Sequence, residues 1–141
     1  MQYRFKFRVF GHSSKKMISI LDLNVRDFYY GIFVDNRLLE HYFGKGLYTI
    51  MQCTGLKDEN GKLIYEGDIL KYTSKPTNTQ KNNPEYKPYT EKYSVVWEDF
   101  YTGYNLRSKE KVNCFNLGIM TKDCEVIGNI YENPELLEKR N

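Results

Sequence analysis

The segment 51–72 constrains the fold more than any other part of the chain. It reads MQCTGLKDENGKLIYEGDILKY, with turn-forming residues at Asp58, Asn60 and Gly61 between two strand-like runs. Gly61 is predicted to adopt a positive φ, a region that glycine reaches at little cost. Asp68, in a Gly-Asp step before an Ile-Leu run, is predicted to accept backbone N–H groups at a sharp bend. The segment holds no nucleophile, metal cluster or phosphate loop, and it predicts a compact β-rich domain.

Composition narrows the class of protein. The 141 residues are about one domain's length, and the 13 tyrosines, 8 phenylalanines and single tryptophan favour strands over helices. A net charge of +3 is too small for a dedicated DNA-coating protein. No apolar run approaches the roughly 18 residues of a membrane span, and the first ten residues alternate too strictly for a signal peptide. We therefore expect a cytoplasmic protein with no membrane partner.

The cysteines do not predict a disulfide framework. There are three of them, Cys53, Cys114 and Cys124, with no CxxC spacing. Free thiols are the expectation for a cytoplasmic chain. Pairing of Cys114 with Cys124 across a hairpin stays open as an alternative.

Residues 1–50 predict an N-terminal β-rich subdomain. Apolar and basic residues alternate at its start, which is the period of a strand with two different faces; the basic face consists of Arg4, Lys6 and Arg8. Residues 17–23 alternate again, so the two runs predict a hairpin. The range 37–43 is compatible with one or two helical turns.

Residues 51–137 predict a second subdomain, interrupted by a loop at 73–92. That loop holds three of the four prolines and almost no aliphatic residues, which is typical of a surface loop or disordered insertion. Gly128 lies inside the last strand-like run and predicts a β-bulge or a close backbone approach. Asn133 followed by Pro134 predicts the N-cap and first turn of a short terminal helix.

Three segments of the chain resemble the YopX proteins of Gram-positive phages and prophages. They are 7–17 (FRVF followed by KKM), 51–69 (MQ, TGLKD, NGK and IYEGDI) and 125–134 (EVIGNIYENP). They lie in the order that the family has, cover about a third of the chain and span nearly all of it. The chain departs from the family at 10–11, where Phe-Gly replaces Trp-Asp, and at Cys53, where an aromatic residue is usual.

The resemblance implies a phage-encoded protein of the bacterial cytoplasm that forms a homo-oligomer. It also implies an SH3-like small barrel in the C-terminal half, but no reaction, because no activity is established for the family. With the residue patterns it predicts an α+β, mainly β fold, with an N-terminal strand-rich subdomain and a C-terminal SH3-like small barrel closed by a short helix.

Catalytic constellations are absent from the sequence pattern. His12 and His41 fall in or near predicted turns without metal-ligand spacing, so solvated loop histidines are the expectation. Two carboxylate pairs are the remaining candidates for a Mg²⁺ site: Glu66 with Asp68, and Glu98 with Asp99. Adjacent residues on a strand point to opposite faces, and Asp68 suits a turn better. We expect no catalytic residue, no metal and no cofactor, and keep a metal-dependent nuclease as the least favoured alternative.

Two candidate binding surfaces remain. The basic strand of Arg4, Lys6 and Arg8 suits a phosphate backbone, or it is a solvent-facing strand whose charges discourage edge pairing. In the aromatic turn 97–104, Trp97 is expected in the core because valines precede it, whereas Tyr101 and Tyr104 are the predicted interaction surface for a peptide or an oligomer.

These patterns lead to one functional hypothesis and one main alternative. The first is a non-enzymatic accessory protein that self-associates and binds a macromolecular partner, either nucleic acid or a host or phage protein. The alternative is a nucleic-acid-binding module that uses the basic strand.

Overall fold

The computed structural model describes residues 6–19, 48–108 and 114–138. Most of these residues lie in strands, which run in the order β1 (Phe7–Gly11), β2 (Lys16–Ser19), β3 (Tyr48–Lys57), β4 (Leu63–Tyr65), β5 (Asp68–Thr73), β6 (Thr90–Glu98), β7 (Gly103–Arg107), β8 (Cys114–Asn116) and β9 (Cys124–Asn129). A short helix α1 (Leu117–Met120) and a 3-10 turn (Thr121–Asp123) precede β9, and a 3-10 helix (Pro134–Leu137) follows it.

The strands form two antiparallel sheets, and one sheet curls into a half-barrel. The strand orders are β2-β1-β3-β4 and β8-β7-β6-β5-β9. The mainly β fold and the short C-terminal helix are therefore confirmed. The helical turns expected at 37–43 lie outside the described residues, as do Arg4 and His41. Within the part of the chain that the structure describes, no helix is long and apolar enough to cross a bilayer.

The chain divides into two compact units, residues 1–55 and 56–141. In the first unit, β1 pairs with β2 and with β3, so that Val9 faces Ile18 on one side and Ile50 on the other. Val9 and Phe10 are both buried, whereas Phe7 is exposed. Burial on β1 therefore departs from the strict alternation that the sequence predicts.

The second unit has its own apolar core. Its sheet aligns Leu70 of β5 with Tyr93 of β6 and with Val126 of β9, which places one row of core side chains across three strands. The same cluster contains Ile64, Val95, Leu106, Leu117 and Cys124. Tyrosine and β-branched residues suit this half-covered pleated surface, as the composition indicates.

The β-bulge predicted at Gly128 is confirmed, and the atoms that approach Gly128 closely belong to side chains rather than to another backbone. The register between β5 and β9 shifts between Ile69, opposite Gly128, and Leu70, opposite Val126, which is a β-bulge. A Cβ at Gly128 would lie 2.6 Å from Asn133 Oδ1. The terminal helix is also confirmed, but capping by the Asn133 side chain is wrong. That side chain makes no bond to the helix, and it accepts the Asn129 N–H at 3.3 Å instead.

Candidate functional site

The hairpin that joins β6 to β7 carries the largest group of exposed aromatic side chains in the described structure. Trp97 faces Tyr104 and Glu98 faces Gly103 across the strands, and residues 99–102 form the turn. The Thr102 N–H donates to the Asp99 carbonyl at 3.2 Å, and Thr102 takes the left-handed φ of 47°. The tight turn therefore fixes the positions of the aromatic side chains in and beside it.

The rings are arranged in two edge-to-face pairs. The centroids of Trp97 and Tyr104 are 5.1 Å apart, and those of Phe100 and Tyr101 are 5.0 Å apart, within the range that aromatic pairs favour. Phe100 is 88% exposed, Tyr101 61% and Trp97 47%, while Tyr104 is half-buried. We call these four residues the aromatic hairpin.

The expectation that Trp97 belongs to the core is wrong. Val95 is buried, and Trp97 lies two positions further along the same face of β6. At that point the strand extends past the apolar cluster towards the turn, so the indole is covered on one side by Tyr104 and stays open on the other. Of the two residues predicted as an interaction surface, Tyr101 is the more accessible.

Polar contacts hold the hairpin in place. The Trp97 Nε1–H donates to Asp99 Oδ1 at 2.8 Å, and the Arg107 guanidinium forms an ion pair with Glu98. The carboxylates of Glu98 and Asp99 thus have different partners, one a guanidinium and the other an indole. Among the described residues, no group of three or more histidine, cysteine, aspartate or glutamate side chains could hold a metal ion.

Asp58 joins two segments that are distant in sequence. Its Oδ1 accepts the N–H groups of Asn60 at 2.9 Å and Lys62 at 2.8 Å, which closes the turn between β3 and β4. Its Oδ2 accepts the N–H of Val126 in β9 at 2.9 Å. The Asp58 side chain is buried. The sequence identified Asp58 only as a turn former, because nothing local points to a contact 68 positions away.

Asp68 has the turn role that the sequence predicts. Its Oδ2 accepts the Tyr65 N–H at 2.8 Å, and the preceding Gly67 has a φ of 81°, as does Gly61. The Gly67 N–H donates to the Val95 carbonyl, and the Gly67 carbonyl accepts the Ile130 N–H, both at 2.9 Å. A backbone hydrogen bond between Gly67 and Ile130 therefore joins two of the segments that carry the family resemblance.

The basic strand is only partly exposed. Lys6 is exposed, but Arg8 is half-buried, with Nη2 3.8 Å from the sulfur of the buried Met51. His12, expected as a solvated loop residue, is half-buried. Its Nε2 lies 2.7 Å from Thr49 Oγ1.

Cys53 and Cys124 are buried free thiols. Burial, reinforced by the nearby Asp123, raises the pKa of the Cys124 thiol to about 11. The folded chain therefore holds this proton more tightly than the unfolded chain. The resulting contribution to the free energy of unfolding is present at neutral pH and is lost as pH rises from the ordinary thiol range through about 11.

We predict that Cys124 reacts far more slowly with a maleimide at pH 8 in the folded protein than in denaturant, because the thiolate is the reactive form and the side chain is buried. Peptide mass spectrometry after timed labelling would follow each cysteine separately, so no variant is needed. Equal labelling rates in the two states would show that Cys124 is accessible and would contradict its burial.

Comparisons with known proteins agree with this architecture. The family described as YopX protein matches residues 6–138. The chain is similar to a solved structure, the crystal structure of protein EF1440 from Enterococcus faecalis, with 27% sequence identity and a TM-score of 0.54. The similarity covers 94% of this chain and 97% of that one. No curated protein matches the chain.

Proposed function

The chain belongs to the YopX family, and from that premise we propose that it is a phage-encoded, non-enzymatic accessory protein of the bacterial cytoplasm that self-associates and binds a macromolecular partner. The observation that carries the proposal is the aromatic hairpin. The proposal includes the assignment of the second unit as an SH3-like small barrel.

The aromatic hairpin has the composition of a protein-binding surface. Tryptophan, tyrosine and phenylalanine are enriched at protein interfaces and often dominate the binding energy. Phe100 and Tyr101 expose their rings to water at the tip of the turn. This exposure does not stabilise a single chain, and exposed apolar patches often mark interaction sites. The Trp97 and Tyr104 rings are already held by each other and by Asp99, so binding would cost little further ordering.

The non-enzymatic part of the proposal rests on how the polar residues of the family segments are used. The Asp58 carboxylate accepts three backbone N–H groups, and the Asp68 carboxylate accepts one. The Asn129 Oδ1 accepts two more, from Tyr131 and Glu132. These contacts support a role in architecture for the Asn129 amide and for the two carboxylates, which would otherwise be candidates for acid–base chemistry.

The test compares the unmodified protein with a Phe100→Ser/Tyr101→Ser variant, here called the hairpin variant. Light scattering after size exclusion should give the unmodified protein an average mass above 16.8 kDa that rises with concentration. The hairpin variant should associate about 30-fold more weakly or worse, as expected when two interface anchors are lost. Ile119→Ser is the matched control, because Ile119 is 78% exposed but lies on α1. A mass of 16.8 kDa at every concentration would refute self-association.

A nucleic-acid-binding module remains the second candidate function, favoured by the exposure of Lys6 beside the exposed ring of Phe7. Arg4→Ala/Lys6→Ala should reduce the salt slope of binding by about two units, one for each phosphate contact. Arg8 is left intact because its guanidinium contacts Met51.

Fluorescence-anisotropy titrations with labelled single- and double-stranded DNA and RNA over a salt series would measure that slope. Lys62→Ala/Lys92→Ala, which removes two exposed lysines of the second unit, is the matched control. An unchanged slope in Arg4→Ala/Lys6→Ala would remove this candidate.

A further inference from the structure

The loop between β5 and β6 has a defined shape, although its composition also allowed disorder. The Ser74 N–H donates to the Tyr89 carbonyl at 2.9 Å and so closes the base of the loop. The Ser74 hydroxyl accepts the Tyr89 N–H at 2.9 Å and lies 2.9 Å from the Tyr86 hydroxyl. Ser74 is buried, so its contacts anchor the segment that leads into β6 at two residues, Tyr86 and Tyr89.

The anchored segment presents proline and lysine to solvent. Pro84, Lys87 and Pro88 are exposed. Pro84 lies in a turn that the Tyr86 N–H closes by donating to the Asn83 carbonyl at 3.1 Å, whereas residues 86–89 lie in neither helix, turn nor strand. A residue before proline is driven towards extended or polyproline conformations, so Lys87-Pro88 favours an extended backbone. Tyr89 continues the segment and is 55% exposed. Extended proline-bearing segments are a common ligand of surfaces lined by aromatic rings, because little entropy is lost on binding.

One lysine of the loop also suits the aromatic hairpin in charge. Within the segment 84–89, Glu85 and Lys87 are both exposed, so the segment has no net charge and Lys87 alone can complement an acidic group. The hairpin carries Asp99, an exposed residue whose carboxylate already accepts the Trp97 indole N–H. A lysine beside a proline could therefore approach an aromatic face next to a carboxylate, which combines cation–π and charge attraction.

The loop of one chain does not reach the hairpin of the same chain. The loop ends where β6 begins at Thr90, and the hairpin turn begins where β6 ends at Glu98. At about 3.3 Å per residue these points lie roughly 26 Å apart. The loop is anchored to the start of the strand by Ser74. A second molecule must supply any such contact.

Resting on the proposed self-association, we propose that the aromatic hairpin of one copy binds the segment 84–89 of a second copy. The two surfaces lie at opposite ends of β6, so the contact is head-to-tail. Contacts of this kind form a ring if the rotation closes and an open chain if it does not. Each copy has one hairpin and one loop. Removal of either surface should therefore prevent a further copy from binding at that end of the molecule.

The proposal predicts complementation between two defective variants. The loop variant, Lys87→Ser/Pro88→Ser, changes two exposed positions and should self-associate at least about tenfold more weakly than the unmodified protein. The hairpin variant should be equally defective. An equimolar mixture should form a heterodimer and no larger species, because only one productive contact remains. Sedimentation velocity of each variant and of the mixture measures this directly.

A second measurement uses the single tryptophan, Trp97. A synthetic peptide of residues 83–90 should change the Trp97 emission of the loop variant, whose hairpin is intact. The same peptide carrying serine at positions 87 and 88 is the control and should have no effect.

The outcomes separate the two proposals. Association of the loop variant as strong as that of the unmodified protein would overturn the head-to-tail contact and leave self-association standing. An unmodified protein that stays monomeric would overturn both proposals. If that monomer still bound the peptide, the occupant of the hairpin would be a proline-bearing segment of another protein.

Discussion

Replacement of Asp58 by alanine is expected to lower the free energy of unfolding by about 4 kcal/mol. The change removes one carboxylate and leaves the N–H groups of Asn60, Lys62 and Val126 without their acceptor. The Val126 bond is the most costly to lose, because both its partners are buried and water cannot replace the carboxylate there. Urea unfolding followed by circular dichroism would measure the loss.

The neighbouring Glu59 provides the control. Its backbone N–H donates to the Cys124 carbonyl at 2.9 Å, and its side chain is exposed, so Glu59→Ala should change the free energy of unfolding by no more than about 0.5 kcal/mol. Asp58→Asn is a further probe, since the amide keeps the shape but cannot accept at both positions. Equal stability of Asp58→Ala and the unmodified protein would show that Asp58 does not join the β3–β4 turn to β9.

Substitution of Gly128 by alanine is the second change with a large expected effect, about 2–3 kcal/mol of lost stability. The added Cβ would lie 2.6 Å from Asn133 Oδ1 and 2.8 Å from Leu136 Cδ1. Contacts this short require the Asn133 and Leu136 side chains to leave their positions, which also breaks the hydrogen bond that Asn133 Oδ1 accepts from the Asn129 N–H. The bulge beside Gly128 limits how far the strand can yield in return.

A double-mutant cycle would test that cause. Asn133→Ala removes the amide that stands closest to the new Cβ, so the two substitutions together should cost less than the sum of each alone. Gly103→Ala is the matched control, because a Cβ there meets nothing nearer than the Tyr101 carbonyl at 3.7 Å. Additive costs for Gly128→Ala and Asn133→Ala would contradict a steric origin.

The sequence predicts correctly those features that neighbouring residues determine, and it fails for those that depend on the arrangement of the strands. Gly61, Asp68 and Gly128 were predicted correctly because turns and bulges depend on neighbouring residues. The burial of Trp97 was predicted wrongly, because the point where the core ends along β6 depends on which strands lie beside it. The bond from Asp58 to Val126 could not be predicted, since strand order alone brings these segments together.

The same distinction applies to function. The segments that carry the family resemblance contain the positive-φ turns at Gly61 and Gly67, the bulge beside Gly128 and the buried Asp58 and Asp68. The two carboxylates accept backbone N–H groups. The aromatic hairpin lies between the second and third of these segments. Its composition predicted an interaction surface at Tyr101 and Tyr104, but only the structure shows that Trp97 and Phe100 are exposed on the same hairpin. The search for a partner should therefore begin at this hairpin.

The most direct test of this account is the emission of Trp97 followed together with sedimentation over one dilution series. Trp97 is the only tryptophan of the chain, and about half of its side chain on the aromatic hairpin is exposed to solvent. We predict that its emission moves to shorter wavelength as the sedimentation coefficient rises, and that both changes are lost in Phe100→Ser/Tyr101→Ser. Association without any change in Trp97 emission would show that the copies meet through another surface, and would contradict the role assigned to the hairpin.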